Sequence, residues 1–284
     1  LPAGLEEAVR EVSRERIRGA SWAISTLARG LLEDLESGRT LDCDRASQVL
    51  RTTLPGMGSL EVLAEVVERL CNRPGELAEA LRRLMDYVEE AGREAAERAA
   101  EFLSGAGAVS TVSFSRAVQL TILAARPRVV YVLESRPGGE GVAMARHLRQ
   151  SGVNAVVLPD SAAGLAVSRS NAVVFGADAA GLDGCLRNKL GTLPLAASAA
   201  ALGVEAVAVF ESYKIVSRAC VWEGVETRSY RVEGWGDVEY PVFEPIPLRL
   251  VSYIATELGG GRAGVEPLRL YRRLFLGEVL GGDV

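Results

Sequence analysis

Lysine is nearly missing from this chain. Of 32 basic residues only Lys189 and Lys214 are lysines, and every other cation is an arginine. An ammonium that persists in such a background either survives by chance or sits where a compact group with three rotatable donors is needed to hold an anion. Histidine occurs once, as His147. That argues against histidine-based triads, multi-histidine metal sites and His/Cys pairs. His147 lies in a helical stretch between two arginines and reads as a solvated position. The four cysteines, Cys43, Cys71, Cys185 and Cys220, contain no C-x-x-C pair. Zinc and thioredoxin-like chemistry are thereby disfavoured, and free thiols in a reducing compartment are the simplest expectation. No apolar run reaches about 18 residues, so no membrane span is expected. Positive charge is in deficit, with a net charge of −5 and a pI near 5.3. Direct nucleic-acid binding, which needs a positive field, is not expected, whereas a local basic pocket is compatible. No metal or cofactor is called for, and any catalysis must run on carboxylates, cysteine or groups of a bound ligand.

What is present suits a globular protein of one large domain or two ordinary ones, since 48% of the 284 residues are hydrophobic. The charged, amphipathic first residues are unlike a secretory signal, and a cytoplasmic location is the default. Up to about residue 104 the pattern is helical. Apolar residues recur at spacings of three and four (Leu5, Val9 and Val12; Ile24, Leu27 and Leu31), and a long Glu/Arg/Ala-rich helix is expected from Pro74 to Phe102. From Gly105 the texture changes. Short β-branched runs at 108–112, 128–133, 154–158, 172–175 and 204–210 alternate with helical stretches. Near-continuous apolar strands separated by helices imply a parallel sheet covered on both faces. The expected fold is therefore α/β, with a helical domain over 1–104 followed by a Rossmann-like, doubly wound domain over 105–284. In such sheets ligands sit beyond the carboxyl ends of the strands.

Five segments fall at those ends. Glu134-Ser135-Arg136-Pro137-Gly138-Gly139-Glu140-Gly141 either lets backbone N–H groups approach an anion or is a tight turn that needs glycine. Asp160-Ser161 reads as a helix cap. Gly176-Ala177-Asp178 places a carboxylate at the end of an apolar strand, which is costly without a partner, so Asp178 is either chemical or a turn residue. This segment leads on to Asn188-Lys189. The fourth is Tyr213-Lys214. The fifth is Phe243-Glu244-Pro245-Ile246-Pro247, expected to lead into a helix near Leu248.

The order of these motifs resembles the proteins related to the alpha, beta and delta subunits of translation initiation factor 2B. That superfamily includes ribose-1,5-bisphosphate isomerase and methylthioribose-1-phosphate isomerase. The likeness covers roughly residues 105 to 258, and Arg18-Gly19-Ala20 is similar to an R-G-A element of the isomerases. It implies a phosphorylated sugar or nucleotide bound between the two domains and assembly as a homodimer or homohexamer. It also brings in initiation factor 2 as a partner. Carried over residue by residue, it implies ligand contacts from Arg18, Gly19, Ala20, Arg136, Glu140, Asn188, Lys189 and Lys214, with Asp178 as acid/base if the chain is an enzyme. Two departures weigh against turnover. Where the isomerases carry a catalytic cysteine this chain has Ser113, whose hydroxyl ionises with far more difficulty and has no histidine beside it. Leu54 stands where they have an arginine before a proline. Cys185 is either an inert loop residue or a substitute thiol whose pKa Lys189 would lower. The expectation is a regulatory subunit that binds a phosphorylated ligand; the alternative is an aldose–ketose sugar-phosphate isomerase. A plain dehydrogenase is set aside because no G-x-G-x-x-G follows the first strand. The arginine excess suits a heat-adapted source, and base composition explains it equally well.

Overall fold

A computed structural model describes residues 1–15 and 19–282. Five helices come first: α1 (Ala3–Arg14), α2 (Ala20–Glu36), α3 (Cys43–Thr53), α4 (Gly58–Leu70) and α5 (Pro74–Phe102). Proline at the first position of α5 suits a residue with no N–H to satisfy. Its buried stripe, Leu77, Leu81, Leu84, Val88, Ala91, Ala95 and Ala99, follows the helical period. The first part of that stripe belongs to the core of the helical half. Ala95, Ala99 and Leu103 belong instead to a core beneath the main sheet, so one long helix joins the two regions.

The sheet region alternates as the apolar runs require. It contains β1 (Ala108–Val112), α6 (Arg116–Ala125), β2 (Val129–Leu133), α7 (Glu140–Gln150), β3 (Ala155–Leu158), α8 (Ala163–Ser168) and β4 (Ala172–Phe175). After a small excursion, β5 (Ala179–Gly181) and β6 (Cys185–Lys189), come α9 (Thr192–Leu202), β7 (Glu205–Val209) and β8 (Ile215–Val216). A hairpin, β9 (Thr227–Val232) and β10 (Gly236–Pro241), precedes β11 (Phe243–Pro247), β12 (Tyr253–Thr256), β13 (Gly259–Arg262) and α10 (Val265–Leu280). The main sheet has the order β13-β12-β7-β4-β1-β2-β3 and is parallel except for β13. Its order turns back between β1 and β4, which opens a crevice at their carboxyl ends.

A second sheet, β11-β6-β5-β8, lies outside the sequence expectation. Asp178 to Lys189 reads as a loop, yet it forms two antiparallel strands. Phe243–Pro247 does not lead into an α-helix either. It is an edge strand, the place where a sheet tolerates proline, and only a single 3-10 turn, Leu248–Leu250, follows. The helical half is fastened to this sheet through Gly58, the first residue of α4, whose N–H donates to Asp178 O at 2.8 Å. A Cβ on Gly58 would lie 2.7 Å from Lys214 O, so only glycine permits this approach.

The cysteines correct the expectation of free thiols. Cys43 bonds Cys71 and Cys185 bonds Cys220, with Cα–Cα distances of 5.8 and 5.1 Å, both within disulfide range. Partners 28 and 35 residues apart are brought together by tertiary packing, which spacing alone does not reveal. Among the described residues no helix is long and apolar enough to cross a membrane, and no cluster of three or more His, Cys, Asp or Glu could hold a metal.

Candidate functional site

The crevice is bounded by the loops leaving β1, β2 and β4. Ser113, directly after β1, is buried and has φ 63°. Its N–H donates to Ser135 Oγ at 2.7 Å, and Ser135 itself has φ 61°. Two non-glycine residues in the left-handed region, each unfavourable by roughly 1 kcal/mol or more, need support from their surroundings. Asp160 supplies it. Its carboxylate accepts from the N–H groups of Ser135 and Arg136 at 2.8 and 2.7 Å, and so braces this loop instead of capping a helix. Gly141 then lets α7 start against the end of β2, since a Cβ there would lie 1.7 Å from Leu133 O.

Lys189 ends β6 and faces this loop. Its Nζ lies 3.4 Å from Glu140 Oε1 and 5.2 Å from the centre of the Phe243 ring. Arg136 is exposed, with Nε donating to Glu134 Oε2 at 3.0 Å. Ser135, Arg136, Glu140 and Lys189 line one small pocket together with Arg228 and Tyr240 from the β9–β10 hairpin. Sequence reasoning missed those two hairpin residues. The alternation of Arg228, Tyr230 and Val232 ahead of a Gly-Trp-Gly turn was the available signal. The pocket encloses about 10 Å³, room for about one water. A larger cavity of about 370 Å³ lies between the start of α1 and the α2–α3 connection, but it contains none of the strand-end groups.

The other candidates divide between scaffold and a second, deeper cluster. Asn188 is buried, and its amide donates to Thr192 Oγ1 at 2.9 Å, so it fixes the turn into α9. Glu244 accepts from the N–H groups of Gly191 and Leu193 at 2.7 and 2.8 Å and caps that helix. Deeper in, Asp178 is half-buried between the sheets, while Lys214 and Glu211 are buried, with Lys214 Nζ 2.6 Å from Glu211 Oε2. Burial pushes the Asp178 carboxyl above the ordinary aspartate range. Lys214 and then Lys189 pull it back, Glu211 raises it and Arg187 lowers it. Both rare lysines therefore act on one carboxyl. Arg187, unforeseen from sequence, is itself buried; it donates to Gly56 O at 3.1 Å and to Glu61 Oε1 at 3.2 Å. It ties β6 to the helical half.

The remaining expectations fall elsewhere. Arg18 lies outside the described residues. Gly19 stands exposed ahead of α2, and Ala20 is buried in the helical core; neither lines the strand-end pocket. Cys185 carries no thiol, because it is bonded to Cys220. His147 is exposed on α7, with Nδ1 3.0 Å from Ala143 O. Chemically, the arrangement combines a cation-lined pocket with a buried Lys214–Glu211 pair and a carboxyl, Asp178, that burial raises and the fields of both lysines lower, suited to binding an anion and exchanging a proton near it.

Comparison with known proteins bears on the family and the fold. The profile described as the initiation factor 2 subunit family matches residues 16–262. A translation initiation factor eIF-2B subunit 2-like protein of Pyrococcus horikoshii is 31% identical over 270 residues, covering 91% of this chain and 96% of that protein. A ribose 1,5-bisphosphate isomerase of Archaeoglobus fulgidus is 27% identical over 275 residues, covering 89% and 88%. The crystal structure of the translation initiation factor eIF-2B from Pyrococcus horikoshii OT3 superposes with a TM-score of 0.80 at 30% identity, covering 92% of this chain and 97% of that one.

Proposed function

Because the chain belongs to the initiation factor 2 subunit family, we propose that it is a regulatory subunit of the initiation factor 2B type. In this reading it binds a phosphorylated sugar or nucleotide at the mouth of the crevice, in the pocket between the strand-end loops and the β9–β10 hairpin, without turning it over. The observation that carries the reading is the gathering of Lys189, Arg136 and Arg228 around one strand-end pocket in a protein of net charge −5. The chemistry beside it supports binding over turnover. Ser113 offers a hydroxyl where the related isomerases have a thiol, the one histidine, His147, is exposed on α7, and the sulfur of Cys185 is held in a disulfide. A homo-oligomer, dimer or hexamer, and contact with initiation factor 2 complete the proposal.

Titration calorimetry with ribose 1,5-bisphosphate, methylthioribose 1-phosphate, AMP and GDP tests it. We expect saturable binding of at least one ligand and no product from either sugar phosphate. Lys189→Ala should weaken that binding about tenfold or more through loss of a charge-assisted contact. A second reading, aldose–ketose isomerisation, is favoured by the Asp178 carboxyl, which burial raises and both lysines lower. Product formation that Asp178→Asn abolishes would replace the first reading with the second.

A further inference from the structure

The β9–β10 hairpin is a separate two-stranded sheet, and such a unit has little stability of its own. Its register pairs Arg228 with Tyr240 and Tyr230 with Val238. Paired residues share a face, so Arg228, Tyr230, Val232, Val238 and Tyr240 lie together; Tyr230 is exposed and the other four are half-buried. Thr227, Ser229, Arg231, Asp237 and Glu239, on the opposite face, are exposed. From the first face Arg228 and Tyr240 reach the pocket that contains Lys189.

Its root is held by backbone hydrogen bonds. Glu226 N–H donates to Pro55 O at 2.9 Å, Val242 N–H to Glu226 O at 2.8 Å, and Leu190 N–H to Val242 O at 3.0 Å. Upstream, Cys220 is bonded to Cys185 of β6, and Asp183 accepts from the N–H groups of Ala219 and Cys220. The arm is therefore fixed to the strand bearing Lys189, which leaves Glu226 and Val242 as the place for a hinge. Each cation at the pocket also has a carboxylate beside it: Glu226 at 2.7 Å from Arg228, Glu140 at 3.4 Å from Lys189 and Glu134 at 3.0 Å from Arg136. A phosphate can take those places. It cannot enter the space as it stands, because about 10 Å³ is far below the roughly 300 Å³ of a small-molecule site.

We propose that the hairpin is a hinged lid that lifts to admit a phosphate ester and then supplies Arg228 and Tyr240 to the bound anion. The inference rests on the anion-binding reading above and adds the residues that close the site. Arg228 donates to phosphate oxygens, and the Tyr240 hydroxyl donates beside it.

The test uses the full chain and the same four phosphorylated probes. Arg228→Gln should weaken binding at least tenfold, whereas Arg231→Gln on the outer face should leave it unchanged. Amide exchange of peptides covering 227–241 should slow on saturation with the probe that binds. If the wild-type chain binds a probe while Arg228→Gln binds equally well and hairpin exchange is unaltered, the lid is refuted and the anion site stands. If the wild-type chain binds none of the four, both ideas fall together.

Discussion

Replacing Lys214 by methionine probes the deeper cluster directly. The ammonium is 2.6 Å from Glu211 Oε2, and the two side chains are only 11% and 7% exposed. At an effective dielectric constant of about 20, that separation corresponds to an attraction of about 6 kcal/mol. Desolvating two ions offsets most of it, so the pair itself contributes little net stability. Removing one partner is a different matter, because Lys214→Met leaves Glu211 buried without its cation, a change that costs about 3–5 kcal/mol. Lys214 is also the cation that most lowers the Asp178 carboxyl, so its loss leaves Asp178 with only the weaker influence of Lys189 and Arg187. Glu211→Gln should be milder, since Lys214 keeps Asp178 and Asp178 loses a like charge. The Lys214→Met/Glu211→Gln double variant should recover part of the loss. Urea denaturation at pH 7 measures all three. A loss below about 1 kcal/mol for Lys214→Met, or a Glu211→Gln variant that loses more, would refute the assignment of Lys214 as the shared counter-ion.

Two further outcomes follow from the same physics. The Asp178 carboxyl is raised by burial, so its ionisation opposes folding: the cost is absent below the ordinary aspartate range, builds as pH rises from there to the folded-state value and is constant above it. Asp178→Asn should therefore stabilise the protein at pH 7 relative to wild type, with the gain vanishing in acid; urea midpoints across pH check the sign, and a loss at pH 7 would contradict it. The Cys43–Cys71 bridge closes a loop of 28 residues, for which chain entropy gives about 3.5 kcal/mol. Cys43→Ser/Cys71→Ser should lose stability on that scale, and a variant equal to wild type would show that the bridge does not form.

The main sheet was legible because its strands are continuous apolar runs, as in Val129–Leu133 and Ala172–Phe175, each with a helix-forming stretch behind it. The second sheet was not. Ala179–Gly181 is too short and small to show a period, Cys185–Lys189 carries a buried arginine, and Phe243–Pro247 contains prolines that signal strand only once it is known to lie at an edge. Asp178 and Lys189 stood out as unusual residue types at strand ends. Arg228 did not, being one arginine among 30. Its significance comes from a hairpin that folds back from some 40 residues further along the chain than Lys189. Disulfide partners were equally invisible, because contact, and not spacing, selects them.

The central claim is that cations at the strand ends converge on one small anion. A crystal structure of the protein soaked or co-crystallised with ribose 1,5-bisphosphate tests it most directly. The expected result is a phosphate within hydrogen-bond reach of Lys189 Nζ, with Glu140 displaced and Arg228 turned from Glu226 to the ligand. A phosphate bound elsewhere, with the Lys189–Glu140 pair intact, would contradict it.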